Sequence, residues 1–475
     1  MLTRRRFITT ATGSALSMLA ASRTTTSAAP AASARPNVLM IAVDDLNDWI
    51  APLGGHPQVR TPHLDRLAQR GVVFANASCP APICTPARTA VLTGIHPASS
   101  GLYFLQPLFR RTPTLAHAVT LPQCLRQHGY RTMAVGKVFH GENDPASLDE
   151  DGGIVNNYGP TPPQKISLPD GHPLWDWGAF PLDDSPTPDD RITDWAVKRL
   201  GRHYDQPFFL GVGLFRPHVP MYAPQRWFDL YPAGKTTMPD AAPVSGAGVS
   251  DYARQLTHAR VAPRHDQIVA LGQWEHAVRA YLASVSYMDD HVGRLLDALE
   301  AGPHADNTLI VFWSDHGFHL GEKQRWEKRS LWEESCRVPL IVAGPGIAPG
   351  RTESPVGTLD LYPTLTALCR VPCPEGLDGH DLTPLLADPD AHWPHATVTT
   401  FGPGNHAVRS RHHRYIRYAD GSEELYDHRT DPHETRNLAD EPDAPAVIAS
   451  LRPALPTRNA PLVPDSAGSD SPLFP

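Results

Sequence analysis

The sequence lacks a long apolar run, an internal repeat and a dense pattern of cysteines. No segment after residue 36 is apolar enough to span a bilayer, so we expect no membrane span. Six cysteines in 475 residues are too few for a fold built on disulfides. Cys369 and Cys373 could form a bridge after export, although two partly buried thiols are the interpretation we favour.

Basic charge is also scarce once the first residues are set aside. Residues 1–36 hold five arginines and no acidic residue, and the rest of the chain has 37 basic and 50 acidic residues, a net charge near −13. Proteins that bind nucleic acids are usually basic, so we expect no nucleic-acid partner.

The start of the chain resembles an export signal. The segment MLTRRRFITTATGSALSMLAAS combines a basic start with a modest apolar run, and small residues follow it. Within it, TRRRFI resembles a twin-arginine signal. We therefore expect residues 1–36 to be a signal peptide of the twin-arginine type and the protein to be exported, to the periplasm or the extracellular space.

Four later segments share one pattern, a short apolar run with polar residues at its end. They are NVLMIAVDDLN, TMAVGKVFH, PFFLGVGLFRPH and NTLIVFWSDHG. Continuous apolar runs suit strands that are buried on both faces of a mainly parallel sheet. Helical patterns lie between and around them, near residues 61–70, 86–93, 120–128, 189–201, 272–301 and 358–370. The alternation predicts an α/β fold with a large, mostly parallel sheet flanked by helices.

The polar residues at these strand ends suggest a metal site. Ligands of open α/β sheets bind outside the carboxyl ends of the strands, so the four clusters should converge. Asp44, Asp45 and Asp315 are hard oxygen ligands that suit Ca²⁺ or Mg²⁺, and without a cation they would repel one another. His316 could be a fourth ligand or a partner of one. A single Asp-Asp pair after a strand is most often a helix cap or a turn, but a second strand that ends in an acidic residue, Asp315, favours a metal site.

Cys84 stands at the start of a predicted helix in APICTPARTAVLTG, residues 81–94, with Arg88 one turn behind it. A small buried hydrophobe is one interpretation of this cysteine, and a thiol activated by the helix N-terminus is the other. If the strand ends converge, Arg88, Lys137, His140 and His218 would form a cationic ring around the metal. Such a ring suits a tetrahedral oxyanion ester.

These segments together resemble the type I sulfatases, members of the alkaline phosphatase superfamily. CTPAR followed by TAVLTG is similar to their signature, and the blocks NVLMIAVDDLN, TPHLDRLAQRGVVFANA, GYRTMAVGKVFH, PFFLGVGLFRPHVP and SDHGFHLGE are similar to the corresponding blocks of the family. EELYDHRTDPHETRNLA is similar to the C-terminal subdomain of the family. The forms GKVFH and RPH point to its iduronate-2-sulfatase-like branch. Ala87 departs from the family pattern, where many members have serine.

The resemblance implies a cofactor, a modification and a set of roles. A formylglycine-generating enzyme would oxidise Cys84 to formylglycine, whose hydrated aldehyde is the nucleophile. One divalent cation, expected to be Ca²⁺, would be bound by the oxygen of modified Cys84 and by four other side chains. These are Asp44, Asp45, Asp315 and His316. The catalytic side chains would be Arg88 and Lys137, His218 as acid, His140 as base, and Lys328.

The expected substrate is a sulfated uronic acid, similar to iduronate-2-sulfate, from an extracellular polysaccharide. His406 and Arg409, in the predicted strand region 404–418, could face a substrate carboxylate, although surface basic residues are at least as good an interpretation. Two alternatives remain, a phosphonate monoester or phosphodiester hydrolase of the same superfamily and an inactive protein that binds sulfated glycans.

Two domains are expected after the signal peptide. The catalytic domain would span residues 37–385, and residues 386–475 would form a smaller antiparallel sheet with a helix and a loose or coiled tail.

Overall fold

A computed structural model describes residues 35–155, 158–183, 185–242 and 248–475. The predicted signal peptide therefore lies outside the described residues, apart from Arg35 and Pro36. No helix among the described residues has both the length and the apolar character that a bilayer span requires.

The strands are short except for the four that were predicted at the centre. In chain order they are β1 (Asn37–Val43), β2 (Gly71–Phe74), β3 (Ala77–Ser78), β4 (Arg131–Gly136), β5 (Glu150–Asp151), β6 (Trp177–Ala179), β7 (Phe208–Leu214), β8 (Met221–Ala223), β9 (Thr308–Ser314), β10 (His319–Leu320), β11 (Trp326–Glu327), β12 (Leu340–Ala343), β13 (Gly350–Thr352), β14 (Val356–Gly357), β15 (Thr397–Thr400), β16 (His406–Arg409), β17 (His413–Arg417) and β18 (Glu423–Asp427).

The helices include one in each of the six predicted stretches. In chain order they are α1 (Pro62–Ala68), α2 (Cys84–Thr93), α3 (Pro97–Ser100), α4 (Leu121–Gln127), α5 (Pro188–Leu200), α6 (Gln225–Phe228), α7 (Asp251–Leu256), α8 (His265–Ala270), α9 (Trp274–Glu300), α10 (Glu333–Cys336), α11 (Leu361–Leu368), α12 (Thr383–Ala387) and α13 (Ala444–Leu451).

The large sheet has eight strands in the order β13-β2-β12-β9-β1-β7-β4-β5. All its pairings are parallel except those of β12, which runs antiparallel to both β2 and β9. The predicted mostly parallel α/β sheet is therefore confirmed. The four strands that were predicted from their apolar runs are neighbours in the order β9-β1-β7-β4.

Helices cover both faces of this sheet, as the continuous apolar strands require. Along β1, Leu39 and Ile41 pack on one side with α1, α5 and α9. The alternate residues Val38 and Met40 pack on the other side with α2, α4 and α11. Because successive side chains of a strand point to opposite faces, β1 is buried in both layers.

The C-terminal part forms a second, smaller sheet of four antiparallel strands, β15-β16-β17-β18, and this confirms the predicted antiparallel subdomain sheet. Helix α13 packs on it through Ile448 and Leu451, which contact Val408 and Tyr415. Residues 35–475 form one compact unit, and the boundary at residue 385 stays a prediction.

Candidate active site

The ends of β1 and β9 bring three carboxylates together. Val43 is paired with Ser314 in the parallel register of the two strands, so the residues that follow, Asp44 and Asp315, leave the sheet side by side. Asp45 has a positive φ of 60°, a left-handed conformation that aspartate tolerates better than most residues. Its backbone N–H donates to Oδ1 of Asp315 at 3.2 Å, which keeps all three in one group.

A glycine in the neighbouring strand allows Lys137 to join this group. A Cβ at Gly213 in β7 would lie 2.1 Å from the carbonyl carbon of Lys137, so only glycine fits there. The backbone N–H of Lys137 donates to Gly213 O at 2.9 Å. From this position its Nζ donates to Oδ2 of Asp44.

Helix α2 places Cys84 against the same group. Cys84 is the first residue of the helix, and Ile83 before it is extended and offers no capping side chain. The free N–H groups of such a helix start favour an anion nearby. Cys84 is 2% exposed, and its Sγ lies 3.2 Å from Nε2 of His316. Gly94 ends the helix in the left-handed conformation, as its glycine predicted.

Arg88 joins α2 to three of the strand ends. Its Nε donates to Oδ2 of Asp315 at 2.8 Å, its Nη2 donates to Val43 O at 3.2 Å, and its Nη1 donates to Lys137 O. The side chain is fully buried. The planar guanidinium therefore links the ends of β1, β4 and β9 at once, which an ammonium could not do.

The remaining predicted side chains surround Asp45. Nζ of Lys328 donates to its Oδ1 at 2.7 Å, and Nε2 of His218 lies 3.6 Å from its Oδ2. The ring of His218 stacks on Tyr158 with 4.6 Å between centroids. His140 and His218 line one cavity together with Cys84 and Asp45. The structure thus brings together Cys84 and the other residues of the predicted catalytic and metal sets.

The charges in this cluster shift one another's ionisation. Burial opposes ionisation of Asp44, but the neighbouring cations, Lys137 first, hold its pKa well below the usual value. Burial raises the pKa of Asp45, although Lys328 acts in the opposite direction. Burial also raises the pKa of the Cys84 thiol, to about 12. The thiol is therefore protonated at neutral pH.

The histidines of the site are neutral for a similar reason. Burial, with the charge of Lys137 for His140 and of Lys328 for His218, holds the pKa of both imidazoles well below the usual value. Burial likewise lowers the pKa of His316. A neutral imidazole keeps one nitrogen free to accept a proton or to bind a metal.

The donor set fits a divalent cation. Asp44 Oδ1 and Asp45 Oδ2 are buried carboxylate oxygens with no hydrogen-bond partner. Buried oxygens of this kind are normally paired or bind a metal. Ligand atoms of Asp44, Cys84, Asp315 and His316 all lie within 4.8 Å of one another. Hard carboxylate oxygens suit Ca²⁺ or Mg²⁺, so these residues suit the predicted cation.

A cavity of about 300 Å³ opens onto Cys84. Several of its lining residues were not predicted from the sequence. They are Tyr158, His172, Trp175, Phe318, Glu327, Arg329 and Asp470. Glu327 and Arg329 flank Lys328 in the sequence, so their place beside a predicted site residue was a signal that could have found them. Lys323, which was not assigned to the site, donates instead to His433 O and Glu434 O.

His406 and Arg409 lie elsewhere. Both belong to β16, and neither lines the Cys84 cavity. The ring of His406 contacts Thr400 Oγ1 and Asn459 Oδ1, each at 2.7 Å. Arg409 donates from Nε to Glu333 at 3.3 Å. The structure does not bring these two side chains together with the Cys84 group, because both are held by partners around the C-terminal sheet.

Cys369 and Cys373 are both free, the first buried and the second exposed.

Family comparisons agree with this architecture. The sulfatase family profile matches residues 36–371. A second profile, described as N-sulphoglucosamine sulphohydrolase, C-terminal, matches residues 321–460.

Three curated proteins are similar over much of their length. A sulfatase of Formosa agariphila is 38% identical over 442 residues, which are 90% of this chain and 87% of that protein. A choline-sulfatase of Rhizobium meliloti is 30% identical, covering 88% of this chain and 85% of that protein. Human iduronate 2-sulfatase is 33% identical over 69% of this chain and 62% of that protein.

Solved structures share the fold. A protein solved in complex with its substrate, D-glucosamine-2-N,6-O-disulfate, has a TM-score of 0.72 at 22% identity, covering 89% of this chain and 97% of that one. Phosphonate monoester hydrolase of Agrobacterium radiobacter has a TM-score of 0.67 at 22% identity, covering 88% and 96%. Identities this low support the fold and nothing finer.

Proposed function

The chain belongs to the sulfatase family and is a sulfuric ester hydrolase, and on that premise we propose that it hydrolyses the sulfate ester of a sugar. In its finer form the proposal names a sulfated uronic acid, similar to iduronate-2-sulfate, from an extracellular polysaccharide. The 33% identity to iduronate 2-sulfatase supports this substrate. The proposal includes export through the signal peptide of residues 1–36.

One observation carries the reaction type, namely the position of Cys84. It starts a helix, lies against His316 and shares that helix with a buried arginine bonded to Asp315. We assign Cys84 as the residue that a formylglycine-generating enzyme converts to formylglycine. Once converted, it supplies a hydrated aldehyde as the nucleophile towards sulfur.

Five residues would hold the divalent cation, expected to be Ca²⁺. They are Asp44, Asp45, Asp315, His316 and the modified Cys84. When bound, the cation supplies Lewis-acid chemistry, polarising the sulfate and lowering the pKa of an attacking hydroxyl.

The lysines and histidines of the chain would bind the sulfate and transfer protons. Lys137 places its ammonium group at Asp44 and Lys328 places its own at Asp45, where both can bind the sulfate oxygens as negative charge develops. Nδ1 of His218 donates to Val219 O, so Nε2 is the nitrogen that faces the site, and it must first gain a proton before it can pass that proton to the leaving sugar oxygen. His140 has no partner at Nδ1, which leaves that atom able to take the proton whose removal regenerates the aldehyde.

A peptide mass spectrum across Cys84, with the protein made beside a maturation enzyme, tests the nucleophile. We expect the mass of an aldehyde or its hydrate, and we expect Cys84→Ala to fold but to abolish turnover. An intact thiol, in a preparation where a control sulfatase is converted, would contradict the assignment. So would wild-type turnover by Cys84→Ala.

A substrate panel tests the finer proposal. It should contain a sulfated uronide, the matching neutral sulfated sugar, choline sulfate and a phosphonate monoester. Choline sulfate is included because of the 30% identical choline-sulfatase, and the phosphonate because of the shared fold. A kcat/KM highest for the uronide is expected. Preference for choline sulfate or the phosphonate would replace the proposed substrate.

A further inference from the structure

The cavity wall beyond the metal-binding group contains one arginine held by two carboxylates. Nη1 of Arg329 donates to Oε2 of Glu327, and Nη2 forms an ion pair with Oδ2 of Asp470 at 2.6 Å. All three residues line the cavity that opens onto Cys84. Arg329 is buried, and its Nε has no hydrogen-bond partner. A guanidinium in this place is a binding group for a planar oxyanion.

The backbone around this arginine is strained. Glu327 has a φ of 90° and Arg329 a φ of 64°, on either side of Lys328. Non-glycine residues in this region cost free energy and persist where the surrounding structure requires them, often at ligand sites. The strain therefore marks the loop that carries both Lys328 and Arg329 as a functional segment of the cavity.

Asp470 reaches the cavity from the C-terminal tail. The tail pairs with the segment that follows α3, since Gln106 N donates to Ala467 O at 3.0 Å and Ala467 N donates back at 3.3 Å. The carbonyl of Asp470 itself accepts from Arg260 N at 3.0 Å. These backbone bonds hold the tail at the mouth of the cavity and place its carboxylate on Arg329.

Two carboxylates on one guanidinium leave an excess negative charge in the wall. A substrate carboxylate could therefore bind Arg329 only if the carboxylate of Glu327 or that of Asp470 moved off the guanidinium. The ion pair with Asp470 is the weaker of the two, because the side chain of Asp470 is 24% exposed whereas that of Glu327 is 5% exposed. A partly exposed carboxylate can be solvated when it leaves the guanidinium, whereas a buried one would lose its partner without gaining water.

Resting on the proposed function, we propose that Arg329 binds the carboxylate of the substrate's uronic acid and that Asp470 occupies this position until the substrate displaces it. Arg329 is then a specificity-determining residue of the sulfatase reaction. The C-terminal tail acts as an internal competitor for anionic substrates.

Competition predicts opposite effects for the two partners. We would measure kcat/KM for a 2-O-sulfated hexuronide and for the matching 2-O-sulfated hexose, which carries a hydroxymethyl group in place of the carboxylate. In Asp470→Asn the uronide-to-hexose ratio should rise on the order of tenfold, the effect of one charge-assisted hydrogen bond. In Arg329→Gln the ratio should fall by about tenfold or more.

Controls separate this effect from changes in folding. Asp465→Asn makes the same substitution in the same tail, at an exposed residue outside the cavity lining, and should leave the ratio unchanged. Asp470→Gly serves as the second variant, because glycine and asparagine both tolerate the φ of 56° at this position. Inhibition of the wild type and both Asp470 variants by the desulfated uronide provides a binding measurement, and the variants should be inhibited more strongly.

The outcomes are distinguishable from failure of the proposed function. If the wild type turns over the sulfated hexose but Asp470→Asn leaves the uronide-to-hexose ratio unchanged or lowers it, Asp470 does not compete with the substrate for Arg329. The sulfatase assignment would then still stand. If the matured wild type turns over no sulfate ester at all, the proposed function itself fails.

Discussion

Replacement of Arg88 by lysine is the sharpest test of how this site is held together. Arg88 is the fully buried link between α2 and the ends of three strands. It donates to the Asp315 carboxylate and to the carbonyls of Val43 and Lys137. Lysine keeps the charge but has one compact head group, so it can bind the carboxylate while leaving Lys137 O without its donor. Val43 O keeps the N–H of Asp315 at 3.2 Å.

The cost follows from the bonds that are lost. One buried carbonyl left without a partner costs about 1–3 kcal/mol, so Arg88→Lys should lower the free energy of unfolding by about that amount. Arg88→Met also removes the charge that faces Asp315 and Asp44. Breaking a buried ion pair from one side costs about 3–5 kcal/mol, so this variant should be less stable than the lysine variant.

Urea unfolding in the presence of a chelator measures this directly, because bound metal then cannot compensate for the lost charge. Arg111→Lys is the matched control, since Arg111 is exposed, and it should unfold like the wild type within about 0.5 kcal/mol. An Arg88→Lys variant as stable as that control would refute the view that the forked guanidinium holds the strand ends. The charge alone would then be sufficient.

Two further predictions concern pH and metal. Burial lowers the pKa of His406 to about 4, against about 6.5 in an unfolded chain, so its neutral form stabilises the fold above pH 6.5 and that stability is lost as the pH falls towards 4. Between pH 7.5 and 5 the wild type should lose about 2 kcal/mol more than His406→Gln in urea unfolding, and equal losses would contradict this. Asp44→Asn should weaken Ca²⁺ binding at least tenfold by calorimetric titration, since it removes a buried carboxylate from the donor set, and unchanged affinity would exclude Asp44 as a ligand.

The strand ends were the part of the site that the sequence could predict. When a continuous apolar run is buried in a parallel sheet, the polar residue that follows it lies at the carboxyl edge of the sheet. Asp44 and Asp315 could therefore be placed at that edge without a structure. The order of the strands could not be predicted. It depends on the crossover connections, which bring β1 between β7 and β9 although those strands start at Phe208 and Thr308.

Basic residues in the C-terminal strand region show where such reasoning is limited. His406 and Arg409 have the chemistry of a carboxylate site, but the sequence does not show which acids they meet in the fold. Arg409 meets Glu333, which belongs to α10 of the large domain, and His406 meets Asn459 of the tail. A basic side chain on a strand is more often satisfied by a partner from a distant segment than left facing a ligand.

The tail that carries Asp470 was harder still to predict, for a physical reason. Its composition, VPDSAGSDSPLFP, has neither apolar periodicity nor a turn pattern that fixes its path, so it predicts only a loose or packed coil. Its position comes from long-range pairing. Gly468 lies so close to Leu105 that an added Cβ would approach that side chain to 2.8 Å, and Phe474 packs 5.3 Å from Phe104. These contacts place the carboxylate of Asp470 at the cavity, and nothing in the composition of the tail indicates them.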